Sequence, residues 1–195
     1  TTLALDVTAP RSGTFALNAG ATNILYSDLE SVDAQNGTYS INAIAGTAGA
    51  DAFRLVRSGD DVILRLGSSD IYRGAIADLV GGISISGGAQ DDTLTVDFTN
   101  GNPIPVGGVT FNGDGQNLSD SLIIVGGSFG TITKSFTDAN RGSVNLDGSV
   151  ITYTGLEPVL LNVGSVNNLV FNLPTGVVNS PTLANAVANG QSQLM

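Results

Sequence analysis

The chain has no cysteine, no histidine and no tryptophan among its 195 residues, and a single methionine. Without thiols or imidazoles, zinc sites of the usual ligand types, thiol catalysis and every triad that relies on imidazole are excluded. Absence of cysteine also suits an exported bacterial protein that avoids stray disulfides. Positive charge is scarce. Seven Lys and Arg stand against seventeen Asp and Glu, for a formal net charge of −10, and five of the seven lie between Arg11 and Arg73. No basic patch follows from that distribution, which argues against nucleic acid and anionic membranes as partners. Aromatics make up only 6%, so a tryptophan-based platform for stacking sugars is missing. No apolar run approaches the roughly 18–20 residues of a membrane-spanning helix, so membrane insertion is not expected. The start, TTLALDVTAP, lacks a basic region, which places any signal peptide upstream or already removed.

Apolar residues reach 42%, enough for a core in a chain of this length. Charge is 12%, about half the usual share, so surface polarity must come from Ser, Thr, Asn and Gly. Glycine is abundant at 26 residues and proline sparse at 6, which fits neither collagen nor a proline-rich linker. Short runs with period-2 alternation recur along the whole chain. They predict strands at Phe15–Leu17, Ile24–Tyr26, Tyr39–Ile41, Phe53–Val56, Val62–Leu66, Ile83–Ile85, Leu94–Phe98 and Val109–Phe111. The series continues at Leu122–Val125, Ile132–Phe136, Val144–Leu146, Ile151–Tyr153, Val159–Leu161 and Leu169–Leu173, with Gly/Asn/Asp/Ser turns between. Helix is expected only at Ile76–Val80 and at Pro181–Asn189; the latter has Ser180 as N-cap and Gly190 as stop, with an irregular coil as the alternative because Asn and Val dilute its propensity.

An internal repeat bears on which all-β architecture this is. GTFALNAGATNILYSDLESV, from Gly13, aligns with GSVNLDGSVITYTGLEPV, from Gly142, across a two-residue gap. Tyr26, Leu29, Glu30 and Val32 then fall on Tyr153, Leu156, Glu157 and Val159, more than half the chain further on. A sandwich gives no reason for such recurrence, whereas a solenoid stacks like coils on like coils. The expected fold is therefore an all-β parallel β-solenoid (β-helix) of coils of roughly 20–25 residues, with a β-sandwich as the alternative. Residues 1–195 are read as a single domain, with 1–80 and 81–195 as possible sub-units.

Three segments share a glycine turn, a carboxylate and an apolar strand. They are Gly46-Thr-Ala-Gly49-Ala-Asp51-Ala-Phe53, Gly87-Gly88-Ala-Gln90-Asp91-Asp92-Thr-Leu94, and Gly113-Asp114-Gly115 through Asp120-Ser-Leu122. The first two resemble the haemolysin-type calcium nonapeptide G-G-x-G-x-D-x-U-x, with Thr47 in the first and Gln90 in the second replacing the glycines at its second and fourth positions. In that motif glycines aim backbone carbonyls inward and aspartate adds a hard anionic oxygen, as Ca²⁺ requires. Each ion is shared by successive turns, yet Asp51, Asp92 and Asp120 are widely and unequally spaced rather than in tandem. Two readings stand. In one, Asp51, Asp91, Asp92, Asp114 and Asp120 supply calcium ligands. In the other no cofactor is bound and the aspartates cap loop N–H groups at coil corners.

Gln90-Asp91-Asp92 also occurs as a triplet in pectin-cleaving β-helix glycosidases, which use carboxylates as acid and base. Those enzymes carry a Gly-His-Gly and an Arg-x-Lys segment. This chain has no histidine, and its one lysine, Lys134, has no arginine two before it. A polysaccharide lyase would need a base, for which Lys134 and Arg141 are the only candidates beyond Arg73. No catalytic residue is assigned, and an enzyme is not expected; a carbohydrate-active β-helix enzyme is the alternative. Asn36-Gly-Thr38 and Asn117-Leu-Ser119 match glycosylation sequons and read as turns.

The run from Ser86 to Pro158, above all GNPIP, FNGDG and GSVITYTGLEP, resembles a module repeated in very large secreted bacterial proteins of the planctomycete type. These are often classed with haemolysin-type calcium-binding or cadherin-like surface proteins. The resemblance implies a cell-surface or matrix role and brings no catalytic residue. It also implies that the stretch after Pro158 leads into another coil, against a helix at Pro181–Asn189. The expected function is that of an extracellular structural or adhesive module. Its expected partners are copies of itself, end to end or lateral, or a surface glycan or protein. Uncapped ends would template association into filaments, with residues 1–9 or 169–195 as the docking segments.

Overall fold

A computed structural model of the chain describes residues 3–9, 12–17, 22–28, 38–114, 119–175, 183–185 and 192–194. Among them the protein is all-β apart from one 3-10 turn, Ile76–Asp78, which is all that forms of the helix expected at Ile76–Val80. The strands are β1 (Leu3–Ala9), β2 (Ser12–Leu17), β3 (Thr22–Tyr26), β4 (Tyr39–Ala45), β5 (Ala52–Ser58) and β6 (Asp61–Leu66). They continue with β7 (Ser69–Ala75), β8 (Ile83–Ser86), β9 (Thr93–Asp97), β10 (Val109–Asn112), β11 (Asp120–Val125) and β12 (Ser128–Phe136). The last six are β13 (Gly142–Leu146), β14 (Ser149–Thr154), β15 (Leu156–Asn162), β16 (Ser165–Asn172), β17 (Leu183–Asn185) and β18 (Ser192–Leu194).

Ten strands form one sheet in the order β16-β12-β13-β14-β10-β8-β4-β1-β2-β3, and six form a second, β15-β11-β9-β5-β6-β7. The short pair β17–β18 stands apart. β17 replaces part of the helix expected at Pro181–Asn189, because Leu183–Asn185 pairs with Ser192–Leu194; the rest of that segment lies outside the described residues.

Four times the chain leaves the first sheet, turns one corner and enters the second: β4 to β5, β8 to β9, β10 to β11 and β14 to β15. The four rungs lie parallel. In the first sheet Ile41 pairs with Ile83, Ile83 with Val109 and Val109 with Ile151. In the second, Phe53 pairs with Leu94, Leu94 with Leu122 and Leu122 with Val159. Alternation dictates this: each inward residue meets an inward residue on the next rung, and a slip of one would turn every apolar side chain outward. Burying each such side chain stabilises the fold by about 1.5–3 kcal/mol.

The sheets are nonetheless mixed rather than uniformly parallel. Antiparallel meanders are spliced in at β1-β2-β3, at β5-β6-β7 and at β12-β13-β14. Their turns carry the chemistry of tight hairpins. Between β13 and β14, Asp147 and Gly148 both have positive φ (49° and 99°), the backbone of a two-residue turn that matches strand twist.

The two sheets share one core cluster that extends from Leu5 to Leu156. Phe111 of the first meets Phe53 of the second edge-on, with ring centroids 6.4 Å apart. The buried Tyr39 and Tyr72 hydroxyls join the sheets through a 2.5 Å hydrogen bond. GNPIP returns the chain from β9 to β10, and its Ile104 is buried in the same core.

The internal repeat is visible as structure. Gly13 pairs with Tyr26 and Gly142 with Tyr153, and each tyrosine hydroxyl lies where a Cβ on its glycine would be, at 2.7 Å. Asp28 and Gly155, which follow two residues after those tyrosines, both have positive φ. The meander β1-β2-β3 is therefore the counterpart of β12-β13-β14. The Leu29, Glu30 and Val32 part of the match lies outside the described residues.

Candidate functional site

The three glycine–carboxylate segments turn out to be the corners of the first three rungs. Asp51, Asp92 and Asp120 each stand immediately before or at the start of the second-sheet strand, where Ala52 pairs with Thr93 and Thr93 with Ser121. Each of their unequal sequence spacings is thus one rung, the first lengthened by the β5–β7 hairpin. What looks out of tandem in sequence is stacked in space.

The stack forms a hydrogen-bonded ladder. The Thr47 backbone N–H donates to Oδ2 of Asp51 (2.5 Å), the Asp51 N–H to Oδ1 of Asp92 (2.8 Å), and the Asp92 N–H to Oδ1 of Asp120 (2.7 Å). Each carboxylate satisfies an N–H that the corner takes out of the sheet ladder. Asp91 reaches the other way: its Oδ1 accepts the Ser119 N–H at 3.2 Å on the following rung. Asp114 accepts from the Ser86 hydroxyl and from the Asn112 side-chain amide, and Thr154 donates to Oδ1 of Asn112 at 2.6 Å. Asp91–Asp92 and Asp114 thereby tie together neighbouring rungs.

Asp92 and Asp120 are fully buried. Burial pushes the Asp92 carboxyl above the usual carboxylate range; the Asp51 N–H opposes this, and the charges of Asp120, Asp51 and Asp91 add to it. Asp120 is raised for the same reasons, with Asp92 donating and Asp91 and Asp114 repelling. Oδ2 of Asp92 is buried without a hydrogen-bond partner. It rests against Gly87, and Asp120 rests in the same way against Gly113. Those glycines leave room that any Cβ would take. Gln90, at the fourth position of the nonapeptide, has a φ of 77°, a left-handed conformation that glycine adopts more readily.

Calcium takes six to eight oxygens. Asp51, Asp92 and Asp120 have each committed an oxygen to a backbone N–H, and among the described residues no group of three or more acidic side chains converges as a metal cage.

Sequence reasoning passed over a second polar region. Four of the seven basic residues, Arg54, Arg57, Arg65 and Arg73, lie on β5–β7, and the first three line an open concavity of about 1300 Å³. Each is matched by an aspartate: Arg54 with Asp97 (2.5 Å), Arg57 with Asp60 (3.7 Å), Arg65 with Asp70 (2.7 Å) and Arg73 with Asp61 (2.9 Å). Burial alone would raise the Asp97 carboxyl, but hydrogen bonds from Thr99 and the Arg54 guanidinium outweigh it and lower it. Pairwise neutralisation leaves no cationic field of the kind that recruits polyanions.

The two basic residues weighed as lyase bases lie elsewhere, on or beside the β12–β13 hairpin. Lys134 donates to the Val159 carbonyl (3.3 Å), and Arg141 pairs with Asp138 (2.9 Å). Burial lowers the Lys134 ammonium below its usual range.

Compared with protein-family models, with curated proteins and with solved structures, the chain matches none.

Proposed function

We propose that the chain is a structural module of an extracellular bacterial surface or matrix protein, built on the solenoid principle, and that it performs no catalysis. The observation that carries this reading is the register of the rungs, in which apolar columns run through all four and an aspartate ladder joins the corners of the first three. Such stacking spends its polar groups on the backbone and presents rigidity along one axis. The functional partner in this reading is another copy of the module, or a glycan or protein of the surface that displays it. The resemblance of GNPIP, FNGDG and GSVITYTGLEP to secreted planctomycete-type modules supports the same setting.

A calcium-stabilised form of the module is the second reading. It is favoured by one observation, the buried and unpartnered Oδ2 of Asp92 close to Asp91 and Asp120.

Thermal unfolding in EDTA, and then with about 5 mM Ca²⁺ or Mg²⁺, separates the two. If the ion binds tightly enough to exceed its dissociation constant 10²- to 10³-fold, linkage adds roughly 2–4 kcal/mol per site. The metal-free reading expects superimposed curves. A midpoint raised by Ca²⁺ but not Mg²⁺ would replace corner capping with metal binding. Rapid proteolysis of the folded chain under native conditions would sink the structural role itself.

A further inference from the structure

We infer that the open edges of β3 and β16 are the two halves of one head-to-tail interface, through which a second copy of this chain extends the ten-stranded sheet. The inference rests on the structural-module reading and specifies its partner and surfaces.

The internal repeat identifies what each edge lacks. β14, the counterpart of β3, carries β10 on its outer side: Val109 pairs with Ile151 and Phe111 with Tyr153. Ile151 is 0% exposed as a result. β3 is the last strand of its sheet, and Ile24, which the repeat aligns with Ile151, is 52% exposed. The meander and the position are the same, but among the described residues no strand covers β3.

The other end tells the same story. β16 lies parallel to β12 as β4 lies parallel to β1. With Leu3 equivalent to Ile132, the pairings Leu3–Tyr39 and Ile132–Leu169 make Tyr39 and Leu169 counterparts, and Leu5–Ile41 and Lys134–Phe171 do the same for Ile41 and Phe171. Tyr39 is 2% exposed: the chain entering β8 lies beyond it, with the Gly81 N–H donating to its carbonyl, and its hydroxyl meets Tyr72 of the second sheet. Leu169 is 46% exposed, and β16 is the opposite terminal strand of the sheet.

Two further features favour a second copy as the occupant. All the strands involved run the same way, so β16 of one copy meets β3 of the next in parallel, like any two neighbouring rungs. The repeat also fixes the register: Phe171, the counterpart of Ile41, falls opposite Ile24, the counterpart of Ile151, and prolongs the column Ile41–Ile83–Val109–Ile151. Secondly, β3 (TNILY) and β16 (SVNNLVFN) contain no charge and no proline, whereas the edges of the six-stranded sheet do: Asp70 and Arg73 in β7, Glu157 and Pro158 in β15. Charges and proline are how natural sheets block unwanted edge pairing. Among the described residues, only the first sheet has terminal strands without charge or proline, and it has them at both ends.

This relocates one expected docking segment. β1, within the proposed 1–9 stretch, lies between β2 and β4 inside the sheet; the free N-terminal edge is β3. The 169–195 stretch overlaps β16.

The test uses the intact chain. Sedimentation velocity over a concentration series should show wild-type mass growing past the dimer. Ile24→Asp spoils only the β3 edge and Phe171→Asp only the β16 edge, so each variant alone should remain monomeric. Their equimolar mixture should form a dimer and stop there, since one good edge survives on each. As a check independent of those variants' folding, Leu25→Cys and Asn172→Cys place outward thiols opposite one another in the inferred register, in a chain with no other cysteine. Mixed single-cysteine variants should crosslink 25 to 172. A wild type that stays monomeric up to about 1 mM, where even a millimolar contact is half populated, would overturn the inference. So would assembly that persists in both edge variants, or crosslinking of 25 to 25. A stable, protease-resistant monomer would overturn only the docking and leave the structural-module reading in place.

Discussion

Asp51 donates its backbone N–H to Oδ1 of Asp92 at 2.8 Å, linking two carboxylate corners that are distant in sequence and one rung apart in structure. Asp92 then repeats the act toward Asp120. An acidic side chain here is a backbone acceptor first and a charge second, and the two roles pull stability in opposite directions.

Replacing Asp92 separates those roles. Asp92→Ala strands the Asp51 N–H and should cost about 1–3 kcal/mol. Asp92→Asn keeps the acceptor and removes a charge that burial and neighbouring carboxylates disfavour. It should leave stability at pH 7 unchanged or higher. The sign follows from linkage. A carboxyl raised in the folded state contributes stability that is complete below its unfolded value, about 3.9, and lost as pH rises through the folded value. Urea midpoints between pH 4 and 8 should therefore decline in the wild type relative to Asp92→Asn. A steeper decline in the variant would refute the electrostatic part of the account.

Gly87 is required by contact rather than by φ. A Cβ there would overlap the Asp92 carboxyl and come within 2.9 Å of its Cβ. Gly87→Ala should cost about 1–3 kcal/mol, as overpacking does. Gly49→Ala, at the place in the previous corner that Gln90 holds in this one, meets only Thr47 Oγ1, at 3.8 Å, and should be close to neutral. Equal effects in a denaturant titration would mean that the corner relaxes around the carboxyl.

How much of this was legible in the sequence depended on whether a local pattern survived. Intact alternation disclosed the strands around Ile83, Leu94 and Ile151. β7 was hidden because Asp70 and Arg73 interrupt its apolar residues, and the helix expected at Ile76–Val80 contracted to one turn because Leu79 is drawn into the core. Asp147-Gly148 is a strong hairpin signal, and its turn is one of those in the three meanders that make the sheets mixed. Asp51, Asp92 and Asp120 were legible as corner residues, but not as one column, since hairpin insertion makes successive rungs unequal in length. The Tyr39–Tyr72 bond and the arginine–aspartate pairs of β5–β7 leave no periodic trace at all.

Tyr72 offers an alkaline counterpart to the aspartates. Burial, reinforced by Tyr39, pushes its phenol far above the ordinary value, and burial raises Tyr26 and Tyr153 as well. A phenol raised in the folded state contributes stability below about pH 10 that is lost as pH climbs through its folded value. Absorbance at 295 nm should show the folded protein's tyrosines ionising later than those of the urea-unfolded chain. Tyr72→Phe should cost about 1 kcal/mol, the net worth of a typical hydrogen bond. A double-mutant cycle with Tyr39→Phe should return most of that figure as coupling. Coincident titrations in folded and unfolded protein would show that water reaches the pair.

Ile151 and Ile24 hold the same place in two copies of one meander and differ only in what covers them. Ile151→Ala empties a site packed from both sides and should cost about 2–5 kcal/mol, as large-to-small core changes do. Ile24→Ala acts on a half-exposed side chain of a terminal strand and should stay within about 0.5 kcal/mol at concentrations where the chain is monomeric. Repeating the denaturation at high concentration adds a second prediction. If β3 takes up another copy, Ile24→Ala loses the concentration-dependent stabilisation that the wild type gains, because association favours the folded state by mass action. Comparable losses at both positions in the dilute monomer would mean that β3 is covered within its own chain. The equivalence of the two meanders would then be one of sequence and pairing but not of environment.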